Sequence, residues 1–444
     1  MFFRPSFAVT ATRRVRQSTG SKSTWFITRH ANRSNDTTMS AIRQILILAI
    51  VTAVIFAAGC MQTVAEPQPA PAAPSVNMTV PFPPIPVSSQ DGVNLAYELE
   101  VSPIGNRTFV PERVEVIDPD TGTILWSLDG ELLATLYHPA ADPPPTATEI
   151  KNGTGKLPVP RISLWFKVGP DAVPDRLVHR LTLNGSGLAP VTLTGGNVTV
   201  RNDLTPVVIG SPVRGAGWTA IETTAPVTHH FLTQITMNGV TRAPQRYAQD
   251  WIYLDPVTGQ AAAGNVTLAK NFLGYGREIY SVANGTVVDV MDGLPDLETI
   301  YSAPPATVAT AAGNYVIVDI GNQKYACYAH MVPGSIRVRV GDTVTEGQIL
   351  GLMGNSGNSD LPHLHFQVVT DTPSFLGAEG YPHVYRSFDV IGGVDQALAE
   401  EKTSGPDYPA TRLWSEFDDF VTLSPQPVSQ ENSLTENWAI VRLP

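Results

Sequence analysis

Two histidines two positions apart, His363 and His365, form the most chemically suggestive pair in the sequence. Side chains alternate between the two faces of a strand, so residues i and i+2 point the same way. The pair is therefore predicted to share one face, with Leu364 and Phe366 on the other. One imidazole could bind a metal ion while the other handles protons. Taken alone, the pattern also fits two ordinary strand histidines. The loop before it, residues 354–359, is rich in Gly, Asn and Ser and could leave the site open to a ligand.

The C-terminal half of the chain holds the other groups that a divalent metal site needs. A site with an open position requires roughly three protein ligands and a water. The candidates come from separate predicted strands and are His229 or His230, Asp250, His330, His363 and His365. Two histidines and an aspartate make a reasonable tetrahedral zinc set. The two remaining histidines could then orient the water, take its proton or stabilise an oxyanion.

The elements that must position these residues are predicted to be strands. The chain of 444 residues contains 36 Gly and 38 Pro, and long stretches with a helical period are hard to find. We therefore expect an all-β fold. Short alternating runs separated by turn residues predict an N-terminal antiparallel β-sandwich over residues 87–212. Short strands and tight turns of antiparallel type follow over residues 213–444.

The N-terminal residues resemble a leader for export. An apolar run, residues 45–59, is short for a membrane span and suits a signal peptide. It ends at Cys60 after small residues, as in a lipoprotein signal box, so we expect a signal over residues 39–59 and a lipid anchor at Cys60. An uncleaved N-terminal anchor is the alternative. Both arrangements place the folded part of the chain outside the cytoplasm, on the outer face of the membrane.

Two further segments flank that signal. Residues 1–38 are rich in Arg, Ser and Thr and are predicted to be an over-long translation start. Residues 60–86 are rich in Pro and Ala, which predicts an extended tether. With only two cysteines in very different contexts, a disulfide framework is not expected.

Several motifs of the C-terminal half resemble the M23 family of zinc metallopeptidases, the lysostaphin-like or LytM-type endopeptidases. They occur in the family's order from near His230 to near Val390. The matching pieces are Asn284-Gly285-Thr286-Val287-Val288, Tyr328-Ala329-His330, Val340-Gly341-Asp342 with Val344 and Gly347-Gln348, and the run from Gly354 to Phe366. The resemblance implies a lysostaphin-like antiparallel β-sheet catalytic domain that binds Zn²⁺.

Carried over residue by residue, the resemblance implies that His365 and Asp250 are zinc ligands and that His330 and His363 are catalytic. The common pattern places the third ligand four residues before the aspartate, where this chain has Arg246. A branch of the family places its histidine about twenty residues earlier, which implies His230. His229 is adjacent and remains an alternative, although in an extended segment it would point elsewhere.

The leading hypothesis is a zinc-dependent endopeptidase that hydrolyses peptide bonds. The resemblance implies that its substrate is a cell-wall peptide or polymer of peptidoglycan type. A catalytically inactive M23-like domain that binds the wall or regulates a partner hydrolase is the alternative. The Gly341–Gln348 turn also resembles biotinyl and lipoyl carriers, but the segment from Gly341 to Phe366 has no lysine to modify. The net charge of -11 argues against a nucleic-acid partner.

Overall fold

Strands dominate the computed structural model, which describes residues 75–104, 109–185, 190–305, 307–403 and 410–444. The all-β prediction is confirmed. The translation start, the signal and the lipid-bearing Cys60 predicted for residues 1–60 lie outside these ranges. Within them, no helix has the length and apolar character needed to cross a membrane.

The strands of the N-terminal part are β1 (Ser75–Thr79), β2 (Val87–Ser89), β3 (Gly92–Ile104), β4 (Phe109–Ile117), β5 (Ile124–Asp129), β6 (Tyr137–His138), β7 (Arg161–Val168), β8 (Arg176–Gly185) and β9 (Val191–Thr199). Those of the C-terminal part are β10 (Val207–Ile209), β11 (Gly215–Ile221), β12 (Ile235–Met237), β13 (Val240–Arg242), β14 (Gln249–Tyr253), β15 (Glu278–Tyr280), β16 (Gly285–Met291), β17 (Tyr315–Asp319), β18 (Lys324–Ala329), β19 (Thr343–Val344), β20 (Ile349–Leu352), β21 (Leu364–Thr370), β22 (Glu379–Gly380), β23 (His383–Val394), β24 (Val421–Ser433) and β25 (Ala439–Leu443).

Helices are few and short in the described ranges. The α-helices are α1 (Gly130–Leu136), α2 (Ala147–Asn152), α3 (His229–Leu232), α4 (Gln396–Thr403) and α5 (Ala410–Ser415). Single turns of 3-10 helix occur at Pro170–Ala172, Ala269–Asn271 and Phe417–Phe420.

Two antiparallel sheets make up the N-terminal part. One has the order β1-β3-β7-β6 with β2 beside β3, and the other has the order β5-β4-β8-β9. Alternate residues of β3, Leu95, Tyr97 and Leu99, are fully buried in a hydrophobic cluster shared with β4 and β8.

The tether predicted over residues 60–86 is wrong for part of this range, because Ser75–Thr79 pair with β3 as a strand.

The C-terminal part is built on one large sheet with the order β10-β23-β25-β11-β14-β21-β18-β17-β16-β19. Its pairings are antiparallel, as predicted, except that β10 runs parallel to β23. Three residues of two adjacent strands are fully buried in the main hydrophobic cluster: Trp251 of β14, and Leu364 and Phe366 of β21. Because side chains alternate, the neighbours of these three residues are turned to the opposite face of the sheet.

A row across four adjacent strands connects the candidate residues. In this row Ile221 of β11 pairs with Asp250 of β14, Asp250 with His365 of β21, and His365 with Ala329 of β18. His330 is the next residue after Ala329. The register therefore brings residues that are far apart in sequence to one place on the sheet.

The two parts of the chain share a small aromatic cluster at α3. Phe231 of α3 packs edge-on against Trp165 of β7, with ring centroids 5.1 Å apart. Tyr247, which lies shortly before β14, contacts the same tryptophan at 5.7 Å. The N-terminal sheets thus help to hold the short helix that carries His229 and His230.

Candidate active site

Three imidazoles converge on one carboxylate oxygen of Asp250. From Oδ1 of Asp250 the distances are 3.0 Å to Nδ1 of His365, 3.3 Å to Nε2 of His230 and 3.4 Å to Nε2 of His363. The side chain of His363 is 9% exposed and the other three are 5% exposed or less. The structure therefore brings together all the residues predicted as metal ligands. It also places His363 and His365 on one face, as the His-x-His spacing predicted.

His230 enters the site from a helical turn, not from the extended segment expected at this point. Thr228 caps α3 by accepting a hydrogen bond from the backbone N–H of Phe231 at 3.1 Å. His230 is buried on the side of Asp250, whereas the side chain of His229 is 49% exposed and its Nδ1 lies 3.1 Å from Oε2 of Glu222. His229 nevertheless has a ring nitrogen within 4.8 Å of ligand atoms of His230 and Asp250.

His330 stands beside the converging imidazoles. Its φ of 63° is left-handed, which turns the chain out of β18 immediately after the paired Ala329. Its ring centroid lies 4.6 Å from that of His363 and 6.0 Å from that of His365. The structure thus places the second predicted catalytic histidine next to the first.

Backbone carbonyls fix the tautomers of three of these histidines. Nδ1 of His230 lies 2.8 Å from the carbonyl of Glu222, Nδ1 of His330 lies 2.7 Å from that of Ser356, and Nδ1 of His363 lies 2.7 Å from that of Leu361. A carbonyl oxygen can only accept, so each Nδ1 must carry the hydrogen while the imidazole is neutral. Each Nε2 is left with a lone pair, as a metal ligand or a proton acceptor requires.

His365 is fixed in the opposite sense by Gln367. The Gln367 amide donates to the carbonyls of Pro244 at 3.2 Å and Phe375 at 2.9 Å, which leaves its Oε1 as an acceptor. Oε1 lies 2.7 Å from Nε2 of His365, so this nitrogen donates and Nδ1 keeps the lone pair that faces Asp250. Such partners commonly orient metal-binding histidines.

The resulting donor set fits a zinc ion. A carboxylate oxygen and three imidazole lone pairs face one another in a buried space, where they repel unless a proton or a metal ion lies between them. Nε2 of His230 is buried without a hydrogen-bond partner. Zinc bonds of about 2.0–2.1 Å at tetrahedral angles separate neighbouring ligand atoms by about 3.3 Å. The observed separations of 3.0–3.4 Å between Oδ1 of Asp250 and the three imidazole nitrogens match this value.

Burial and charge set the protonation of these groups. Burial lowers the pKa of His230 to about 4. Burial, assisted by the charge of His363, holds the pKa of His330 well below its usual value. Burial also opposes a charge on His363, but the attraction of Asp250 outweighs it and raises the His363 pKa. Burial alone would raise the pKa of Asp250, yet His230 and His363 hold it well below its usual range.

Arg246, which occupies the position of the ligand in the common pattern, is part of a separate ion cluster. Its buried guanidinium contacts two carboxylates. One is that of Glu98 in β3, and the other is that of Glu379, whose Oε1 lies 2.5 Å from Nη1 of Arg246. Arg246 is therefore committed to these two acids. The structure instead places His230 beside Asp250, as the alternative spacing predicted.

Four orienting residues were missed in the sequence: Gln367 and the three residues whose carbonyls contact the histidines, Glu222, Ser356 and Leu361. Gln367 lies two residues after His365, so the alternation that pairs His363 with His365 also places Gln367 on the same face. This extension of the pattern could have been found. The carbonyl of Ser356 carries no such signal, because any residue type supplies a carbonyl and only the folded loop brings it to His330.

Comparisons with known proteins agree with these motifs. The sequence model of peptidase family M23 matches residues 264–375, which include His330, His363 and His365 but not His230 or Asp250. The peptidoglycan DD-endopeptidase ShyA of Vibrio cholerae is 34% identical over 91 residues, 19% of this chain and 20% of the relative. Endolysin 2638A of Staphylococcus phage 2638A is 33% identical over 95 residues, 21% of this chain and 16% of the relative. The chain thus spans about a fifth or less of the length of these relatives.

Among solved structures, a zinc-containing peptidase from Vibrio cholerae is 14% identical, with 66% of this chain and 83% of that chain covered and a TM-score of 0.22. The family resemblance itself rests on the sequence matches and the order of the motifs. The resemblance predicted from the motifs is confirmed, and residues 264–375 of this chain match peptidase family M23.

Proposed function

We propose that this protein is a zinc-dependent endopeptidase that hydrolyses peptide bonds in cell-wall peptides of peptidoglycan type. The observation that carries the proposal is the convergence of three oriented imidazoles on Asp250, with His330 beside them. The M23 domain and the similarity to a peptidoglycan endopeptidase support the substrate class.

His230, Asp250 and His365 would hold the metal, and His363 and His330 would remain for the chemistry. When bound, zinc polarises the scissile carbonyl and lowers the pKa of water at the site. Three protein ligands leave the fourth position open, as catalytic zinc sites require. If His363 also served as a ligand, the tetrahedron would be closed and typical of a structural site.

The two remaining histidines divide the proton handling in this proposal. His330 is neutral, donates through Nδ1 to the carbonyl of Ser356 and has Nε2 available to accept a proton. His363 is tied through Nδ1 to the carbonyl of Leu361, which holds its Nε2 toward the site. When protonated, it can donate a hydrogen bond to charge that develops on the substrate oxygen.

Hydrolysis of isolated peptidoglycan tests the proposal. We expect the purified protein to release soluble wall peptides with new amino termini, detectable by mass spectrometry. Activity should disappear on treatment with a chelator and return with zinc, whereas Asp250→Ala should remain inactive at any zinc concentration. Binding of the zinc-loaded protein to the wall without release of peptides would contradict the proposal and favour the non-catalytic alternative.

We further propose that the protein is exported and anchored to the membrane through a lipid on Cys60. The apolar run before this cysteine and the Pro/Ala-rich residues after it support the proposal. Cys60→Ser is expected to abolish incorporation of a labelled fatty acid and to move the protein from the membrane fraction to the soluble fraction. Unchanged labelling in this variant would contradict the anchor.

A further inference from the structure

Glu222 follows the end of β11 directly behind the candidate metal site. Its neighbour Ile221 pairs with Asp250 in the strand row, so the register places Glu222 beside the ligand-bearing end of β14. Its side chain is 7% exposed. Its φ of 56° lies in the left-handed region, which residues other than glycine adopt uncommonly.

The backbone and the side chain of Glu222 contact the two adjacent histidines separately. The carbonyl accepts a hydrogen bond from Nδ1 of His230 at 2.8 Å. The carboxylate accepts a hydrogen bond from the backbone N–H of His229 at 2.8 Å and lies 3.1 Å from Nδ1 of the same residue. One residue therefore holds both histidines, each by a different group.

These contacts bear on which of the two histidines faces Asp250. The two rings are only 4.1 Å apart, and consecutive residues of a helix point in directions about 100° apart. A rotation of α3 by about 100° would exchange them. The carboxylate of Glu222 opposes this rotation, together with the packing of Phe231 on Trp165, because it anchors the first residue of the helix and holds the ring of His229 outside the buried site.

We infer that Glu222 is a positioning residue that selects His230, and not His229, as the imidazole presented to the metal beside Asp250. The inference rests on the proposed function, in which His230 is a ligand. It goes further in assigning a role to a residue that need not touch metal or substrate. Residues that orient metal ligands in this way typically change metal affinity by about 10–100-fold when they are replaced.

Zinc affinity, measured by competition with a chromophoric chelator, tests the inference. Glu222→Gly removes the carboxylate but suits the left-handed backbone, so the fold and the carbonyl contact should persist. We expect its zinc dissociation constant to rise by about 10–100-fold. Glu222→Gln keeps an oxygen acceptor and should bind zinc as tightly as the unaltered protein does. Cobalt-loaded Glu222→Gly should also show an altered visible spectrum.

Asn322→Gly is the matched control. Asn322 has a φ of 52° in an exposed turn between β17 and β18, so it tests the effect of a left-handed glycine alone. Its zinc affinity should be unchanged. Equal affinity of Glu222→Gly and Asn322→Gly would overturn the inference alone. Failure of the unaltered protein to bind zinc would overturn the proposed function and the inference with it.

Discussion

Replacing His330 with alanine is expected to reduce hydrolysis of wall peptides by about 10²–10⁴-fold, the usual contribution of a positioned acid or base. The zinc content should not change. His330 lies within ring contact of His363, but it is not among the three imidazoles whose nitrogens approach Oδ1 of Asp250. Its removal therefore leaves the proposed ligand set complete.

The control for this prediction is His138→Ala. His138 lies in the N-terminal sheets, where its Nε2 is 3.0 Å from Oγ of Ser163, and it should be dispensable for hydrolysis. Rates of peptide release and zinc content are measured on the same preparations. Full activity in His330→Ala would show that this histidine takes no part in the reaction.

The second large effect is expected on stability. Arg246→Met should lower the free energy of unfolding by about 3–5 kcal/mol, because it leaves buried carboxylates without their cation. Glu98 and Glu379 are 1% and 4% exposed and lie on either side of the guanidinium. Burial raises the pKa of Glu379 to about 7 even with Arg246 present, so the carboxylate already experiences a poor environment for its charge.

Denaturant unfolding measures this change, and Arg176→Met provides the comparison. Arg176 pairs with Asp120 at the surface, with side chains 59% and 50% exposed. Exposed pairs of this kind contribute about 0–1 kcal/mol, so this variant should unfold almost as the unaltered protein does. Similar unfolding free energies for the two variants would contradict a stabilising role for the buried cluster.

The core of the site could be predicted because it depends on local alternation and on the order of motifs. The two-residue alternation of β21, extended to His363 immediately before its first residue, places His363 and His365 on one face and sends Leu364 and Phe366 into the core. The pairing of Asp250 with His365 then follows from strand register, which the sequence alone does not reveal. The resemblance supplied that partner.

Other features depend on contacts between distant segments and were beyond local patterns. Residues 229–232 form a capped helical turn packed against Trp165, whereas an extended segment was expected. Ser75–Thr79 belong to a sheet, although their Pro/Ala-rich surroundings predicted a tether, because β3 offers an edge to pair with. Likewise, the burial of Arg246 depends on Glu98, which lies far away in the sequence.

The zinc content of purified variants, determined by elemental analysis, tests the central claim most directly. The account predicts one zinc per chain in the unaltered protein and in His229→Ala and His363→Ala, and loss of zinc in His230→Ala. These variants separate the adjacent histidines and decide whether His363 closes the coordination shell. Full zinc content in His230→Ala, or its loss in His363→Ala, would contradict the account of an open site held by His230, Asp250 and His365.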